Sequence, residues 1–289
     1  MSSTLIATST QRAAVAPKPL LAVWSLAKRE WVRFIRQPNR VFGAVGQPVI
    51  FWLLFGVGLG PSFRLQGVPA QSLSYREYFF PGSLVLILLF TAIFATISII
   101  EDRREGFLQA VLVAPVPRWA MVLGKVLGGS WIALAQGLLF LMLGLTLGIR
   151  FTPGMLAMVT LFLLVLAMAL TSLGFIIAWR LDSTQGFHAI MSVVLLPMWL
   201  LSGAFFPPPP IAVTSSLAEQ ALAWVIWLNP LTYGVAGLRQ LLYQGAADAP
   251  LPAGTPAMST CWLITLLFTV VAFGIAWKTA ARRTRGDLL

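Results

Sequence analysis

Six stretches of this chain are apolar over the roughly 20 residues that a helix needs to cross a bilayer. They run over about 41–60, 81–100, 122–149, 154–179, 187–206 and 258–277, and only the third carries an internal cation, Lys125, near its start. None alternates with the two-residue period of a strand, and each is too long for one. The pattern predicts an all-α integral membrane protein with six spans, organised as a single transmembrane domain over 41–278. Residues 1–19 are rich in Ser, Thr, Ala and Pro and read as a disordered cytoplasmic lead, while 279–289 read as a cytoplasmic tail.

Three segments outside the spans have patterns of their own. At 100° per residue, Leu20, Val23, Trp24, Ala27, Trp31, Phe34 and Ile35 share one side of a helix over 20–37, and Arg29, Arg33 and Arg36 gather on the other. This predicts an interfacial helix with its tryptophans among headgroups and its arginines in water, ended by Pro38. The loop 101–118 opens on the charged run Glu101, Asp102, Arg103, Arg104 and Glu105, then Gly106. A short helical stretch with Phe107, Leu108, Val111 and Leu112 follows, stopped by Pro115 and Pro117 ahead of Arg118. A plain connector could be shorter, so this loop reads as a surface helix offered to a cytoplasmic partner. Before the last span, Ser202, Gly203, Phe206 and Pro207 lead into an apolar piece over 217–228 that is too short to span. A turn at Asn229, Pro230 and Tyr233 then starts a second short helix carrying Arg239. Sub-membrane-length apolar pieces broken by proline predict re-entrant or interfacial helices.

Composition agrees: 58% of residues are hydrophobic and 10% charged, too few charges to cover a soluble globule. The excess of 20 basic over 9 acidic residues could suggest nucleic acid, but its distribution argues for membrane topology instead. With the N-terminus inside, only Arg64, Arg76, Arg150 and Arg239 among the basic residues fall outside. The positive-inside rule then puts both termini in the cytoplasm.

Groups able to do chemistry are sparse. Cys261 is the single cysteine, His188 the single histidine at the cytoplasmic start of the fifth span, and no HExxH motif occurs. Acidic pairs within the predicted spans, which a proton relay would need, are absent. Around Lys125 the sequence VLGKV lacks the upstream glycine and following Ser or Thr of a phosphate loop, so ATP hydrolysis is not expected of this chain. The two halves share no visible repeat, which weighs against a secondary transporter.

Taken in order, the interfacial helix, the charged loop before the third span and the Ser-Gly, Phe-Pro, Asn-Pro-Leu-Thr-Tyr and Leu-Arg segment before the sixth resemble a known family. They look like the permease subunit of ABC transporters of the type-2 exporter family, which exports drugs, polysaccharides and lipo-oligosaccharides. The run Pro207–Pro210 is longer than the single proline of that pattern. The resemblance implies a permease dimer, made with a second copy or a homologue, in a bacterial inner membrane. Each copy would dock a cytoplasmic ATPase, which would bind ATP and Mg, through a coupling helix in 101–118. No cofactor is implied in this chain and no nucleic acid as partner. Aromatic surface for a substrate pathway is expected from Phe51, Trp52, Phe90 and Trp199. The alternative is a membrane-embedded enzyme or scaffold, which would need no ATPase partner.

Overall fold

The computed structural model describes residues 18–60, 74–209, 216–243, 251–252 and 254–282. The lead 1–17 and the end of the tail, 283–289, lie outside these residues. All the regular structure described is helical. The first helix, α1 (Pro19–Ile35), meets the first span α2 (Pro38–Gly58), and both open with proline at their first position. There the missing N–H is one that a helix start would leave unbonded anyway. The second span, α3 (Tyr75–Arg104), is extended at both ends relative to the apolar stretch. At its start Ser74 and Glu77 form a reciprocal capping box.

After α3 come the short helix α4 (Phe107–Val113) and the third span α5 (Arg118–Leu141), which tightens into a 3₁₀ segment over Met142–Leu147. The fourth span is α6 (Pro153–Trp179). The fifth is irregular: α7 (Thr184–Ile190), a π-helical turn at Met191–Leu195, α8 (Leu196–Trp199) and a second π-helical turn at Leu200–Ala204. Pro197 within it removes a backbone donor and accounts for part of that unwinding. Two shorter helices, α9 (Leu217–Leu228) and α10 (Pro230–Tyr243), bend by 69° at Asn229, and α11 (Met258–Ala281) is the last span.

Among the described residues six helical segments are long and apolar enough to cross a membrane, and the bent pair α9–α10 would be a seventh only if it crossed as one. Their places in the bundle differ sharply. In α3, 89% of the apolar stretch is buried inside the chain, against 18% in α2 and 17% in α11. The core is therefore built around α3, with α2, α5, α6 and α10 packed on it, while α2 and α11 leave most of their apolar surface uncovered by the chain.

The interfacial helix departs from expectation. Its expected apolar arc divides in two: Val23, Ala27 and Phe34 are buried with Leu26 and Glu30, while Leu20, Trp24, Trp31 and Ile35 stay exposed. The reason is that α1 packs along α5 rather than lying free in the interface. A Cβ on Gly124 would sit 2.9 Å from Leu26 Cβ, and one on Gly128 would sit 2.8 Å from Glu30 Cβ. These two glycines, four apart on α5, allow the close approach.

Candidate functional site

The contact between α1 and α5 brings charges together at the end of the bundle where α3 finishes and α5 begins. Asp102, in the last turn of α3, is fully buried. It accepts from Arg29 twice, Nη2 to Oδ1 at 2.6 Å and Nη1 to Oδ2 at 3.0 Å, and from Arg33 Nη1 at 2.7 Å. The Lys125 ammonium, reaching in from α5, pairs with both Asp102 and the buried Glu30. Arg33 Nη2 meets Glu101 at 2.6 Å and, at the rim, Glu105 at 3.5 Å. Partial burial works against the charge of Arg29, but its hydrogen bond to Asp102 and the surrounding carboxylates outweigh this and raise its pKa. Three cations and four carboxylates thus join α1, α3 and α5 in one network.

Two expectations are corrected here. Arg29 and Arg33 are not in water: they are turned onto carboxylates, with side chains 29% and 17% exposed, while Arg36 remains exposed. Acidic side chains also do lie within the second span, because α3 runs on through Glu101 and Asp102 to Arg104.

From this network the loop continues into α4. Gly106 takes φ +77°, a left-handed conformation that reverses the chain between α3 and α4 and that a side chain would strain. Arg29 lies 3.7 Å from the centre of the Phe107 ring, so the same guanidinium that grips Asp102 also covers the first residue of α4. Leu108 is buried against the core, Leu112 is half-buried, and Val113 is 74% exposed at the free end of α4, just before Pro115. Arg103 and Arg104 point the other way, onto the turn after the fourth span. Arg103 donates to Trp179 O at 2.6 Å and pairs with Asp182 at 3.1 Å, and Arg104 donates to Asp182 O at 2.9 Å. Arg118, at the start of α5, has a buried Nη1 with no hydrogen-bond partner. His188 is exposed, with Nδ1 2.7 Å from Thr184 O.

The segment before the last span forms a second polar site, distant in sequence from the first. Asn229 makes the corner between α9 and α10: its side-chain amide donates to Met198 O at 2.5 Å, and its Oδ1 accepts from the Leu231 N–H at 3.0 Å. Pro230 then starts α10, and the Tyr233 hydroxyl donates to Trp227 O at 3.0 Å. Gly203 sits at φ +73° where the second π-turn ends, beside Ser202, whose hydroxyl donates to Trp199 O. Its carbonyl accepts from the Tyr78 hydroxyl at 2.8 Å and from Arg239 Nη2 at 3.1 Å. Arg239 is 4% exposed, lies 4.2 Å from the centre of the Tyr78 ring, and has no ion-pair partner among the described residues. Phe206 is 65% exposed beyond this knot, followed by a half-buried Pro207.

The aromatic residues expected to offer pathway surface are mostly covered. Trp52, Phe90 and Trp199 are buried inside the chain. Trp52 packs edge-on to Phe80 and Phe140, Phe90 stacks on Phe94, and the Trp199 indole N–H donates to Gly82 O at 2.8 Å. Only Phe51 is half-exposed, packed edge-on to Phe55. The irregular fifth span folds Trp199 back onto α3, which apolarity alone could not reveal.

A bundle of six apolar spans with a helix ahead of the first, a charged loop-helix and a bent helix pair before the last span defines an all-α polytopic membrane protein. The chain belongs to the ABC-2 type transporter family, whose model matches residues 21–243. It is 23% identical to the inner membrane transport permease YadH of Escherichia coli K12, over 90% of this chain and 96% of that one. It is 27% identical to transport permease ycf38 of Cyanophora paradoxa, over 75% of this chain and 72% of the relative. Similarity to the probable multidrug ABC transporter permease YbhR of E. coli K12 is 24%, over 61% of this chain and 46% of that one. The chain is thus a transport permease, the membrane component of an ABC transporter.

Proposed function

We propose that this chain is the membrane half of an ATP-driven exporter in a bacterial inner membrane, with both termini in the cytoplasm. It works as a dimer with a second permease, and each copy docks a separate ATPase subunit through 101–118. ATP and Mg reside on that ATPase, and no nucleic acid takes part. The inner-membrane setting follows the name of YadH, and drug efflux, carried by the name of YbhR, is one substrate class to test.

The observation that carries this reading is the link from α4 to the spans. A seven-residue helix has little stability of its own. This one is held between the left-handed turn at Gly106 and the Arg29 guanidinium, which in turn grips Asp102. A push on α4 therefore reaches α1, α3 and α5 together. The ATP-bound and ATP-free partner would have to prefer different permease conformations for such a push to do work.

The test is affinity purification of the tagged full chain from mild detergent, with and without Gly106→Val. A soluble phosphate-loop ATPase should co-purify with the parent chain. The variant should still insert but recover much less of it. Equal recovery of that ATPase with both chains, or recovery of none with the parent, would overturn the docking site.

A further inference from the structure

With Arg29 and Arg33 turned onto carboxylates, one further cation of α1 and another just past its end are left without a role in the charged network. Lys28 and Arg36 are exposed, and neither forms an ion pair among the described residues. Trp24, Lys28, Val32 and Arg36 follow one another four residues apart and so form a single row along the helix. This row, with Ser25, Arg29 and Arg33 beside it, lines an open groove that ends at Gln37. Trp24 is 54% exposed and Val32 38%, and the adjoining arc of Leu20, Trp31 and Ile35 is exposed as well. At the end of the groove Gln37 Oε1 is buried with no donor bonded to it.

What fits this surface must be anionic beside Lys28 and Arg36, apolar along the tryptophans, and able to donate a hydrogen bond to Gln37. An acidic protein face would satisfy the first requirement and leave the apolar arc wet. Only Arg36 and Gln37 separate α1 from the first span, so the groove lies at the depth where the chain enters the bilayer. The phosphodiesters available there carry acyl chains and, in glycerol headgroups, hydroxyl donors.

We propose that this groove binds anionic glycerophospholipid. Lys28 and Arg36 stand eight residues apart, about 12 Å along the helix, so each takes its own phosphate. A headgroup hydroxyl donates to Gln37 Oε1, and the upper acyl chains lie along Trp24, Trp31 and Ile35. Arg29 and Arg33 thereby hold the carboxylates from one side of the groove, while Arg36, just past the end of α1, reads the membrane surface together with Lys28.

The experiment uses the full chain in phosphatidylcholine nanodiscs with an increasing fraction of phosphatidylglycerol, reading the thermal unfolding midpoint. The parent chain should gain stability as phosphatidylglycerol rises, and lose that gain at high salt. Lys28→Gln with Arg36→Gln should move the response to about 25-fold more phosphatidylglycerol, from roughly fivefold per basic contact. Both side chains are exposed, so the pair should fold, and the charge-keeping swap Lys28→Arg with Arg36→Lys should titrate like the parent. A parent chain indifferent to phosphatidylglycerol, or a neutral pair that responds as the parent does, would overturn the proposal. So would a neutral pair that keeps the lipid response but loses its ATPase, because the face would then dock protein.

Discussion

The two ends of α3 hold cations in opposite ways. At its C-terminal end Arg29, Arg33 and Lys125 are neutralised by Glu30, Glu101 and Asp102, charge against charge. At the other end Arg239 meets the carbonyls of Gly203 and Tyr78 and the face of the Tyr78 ring. A set of full charges depends on every member, because removing one leaves a partner uncompensated in a low-dielectric setting. An arginine held by dipoles loses only hydrogen bonds when it goes, and each carbonyl it leaves keeps another donor: the Tyr78 hydroxyl at Gly203, and the helix ladder at Tyr78. The charged network suits a part that must transmit displacement, whereas the Arg239 knot suits a fixed anchor for the bent helix pair.

Breaking the charged end should cost most. Asp102→Ala removes the buried carboxylate that Arg29, Arg33 and Lys125 share, leaving more positive than negative charge there. It should destabilise the purified chain by about 3–5 kcal/mol, measured by unfolding in mild detergent. Adding Lys125→Met to it should recover part of that loss, since the cost belongs to the unpaired charge. A double variant as damaged as the sum of the two singles would deny the coupling.

Next comes the packing that assembles the network. Gly128→Val drives a side chain into Glu30 and Ala27, and should cost about 1–3 kcal/mol. It should also make α1 more susceptible to limited proteolysis. The same change at the exposed Gly154, which has open space around it, serves as a control expected to leave α1 protected.

At the dipolar end Arg239→Met should cost less, about 1–2 kcal/mol, by unfolding in the same detergent. A loss as large as that of Asp102→Ala would erase the contrast between the two ends. Smallest of all is Arg104→Ala. It removes an exposed contact to the Asp182 carbonyl and should shift stability by less than about 1 kcal/mol in that assay.

Much of this architecture is legible in the residues themselves. Charge-free apolar length locates the spans, and the Asn229–Pro230 step marks the corner between α9 and α10, because each reflects neighbours in sequence. The charged network is not legible in that way. Arg29 and Asp102 are 73 residues apart, and Lys125 and Glu30 are 95 apart. Amphipathicity puts Arg29 on a polar side but does not say whether water or a carboxylate waits there. One signal could have found it: Gly124 and Gly128, four apart in a span, mark a face made for close helix contact, with Lys125 beside it. Trp52 and Trp199 were illegible for a similar reason. An aromatic residue in a span has the same pattern whether it lines a pathway or, like these, sends its indole N–H to a neighbouring carbonyl.

The central claim, that α4 is the docking element and passes displacement into the charged network, is tested most directly by a photo-crosslinking side chain at Val113. That position is exposed at the free end of α4, and Phe206, exposed beside the Arg239 knot, is the control. In membranes from cells carrying the whole transporter, Val113 should capture a phosphate-loop ATPase, in a yield that changes when ATP is added, and Phe206 should capture none. Equal capture from both positions, or an ATPase caught nowhere along α4, would contradict the account.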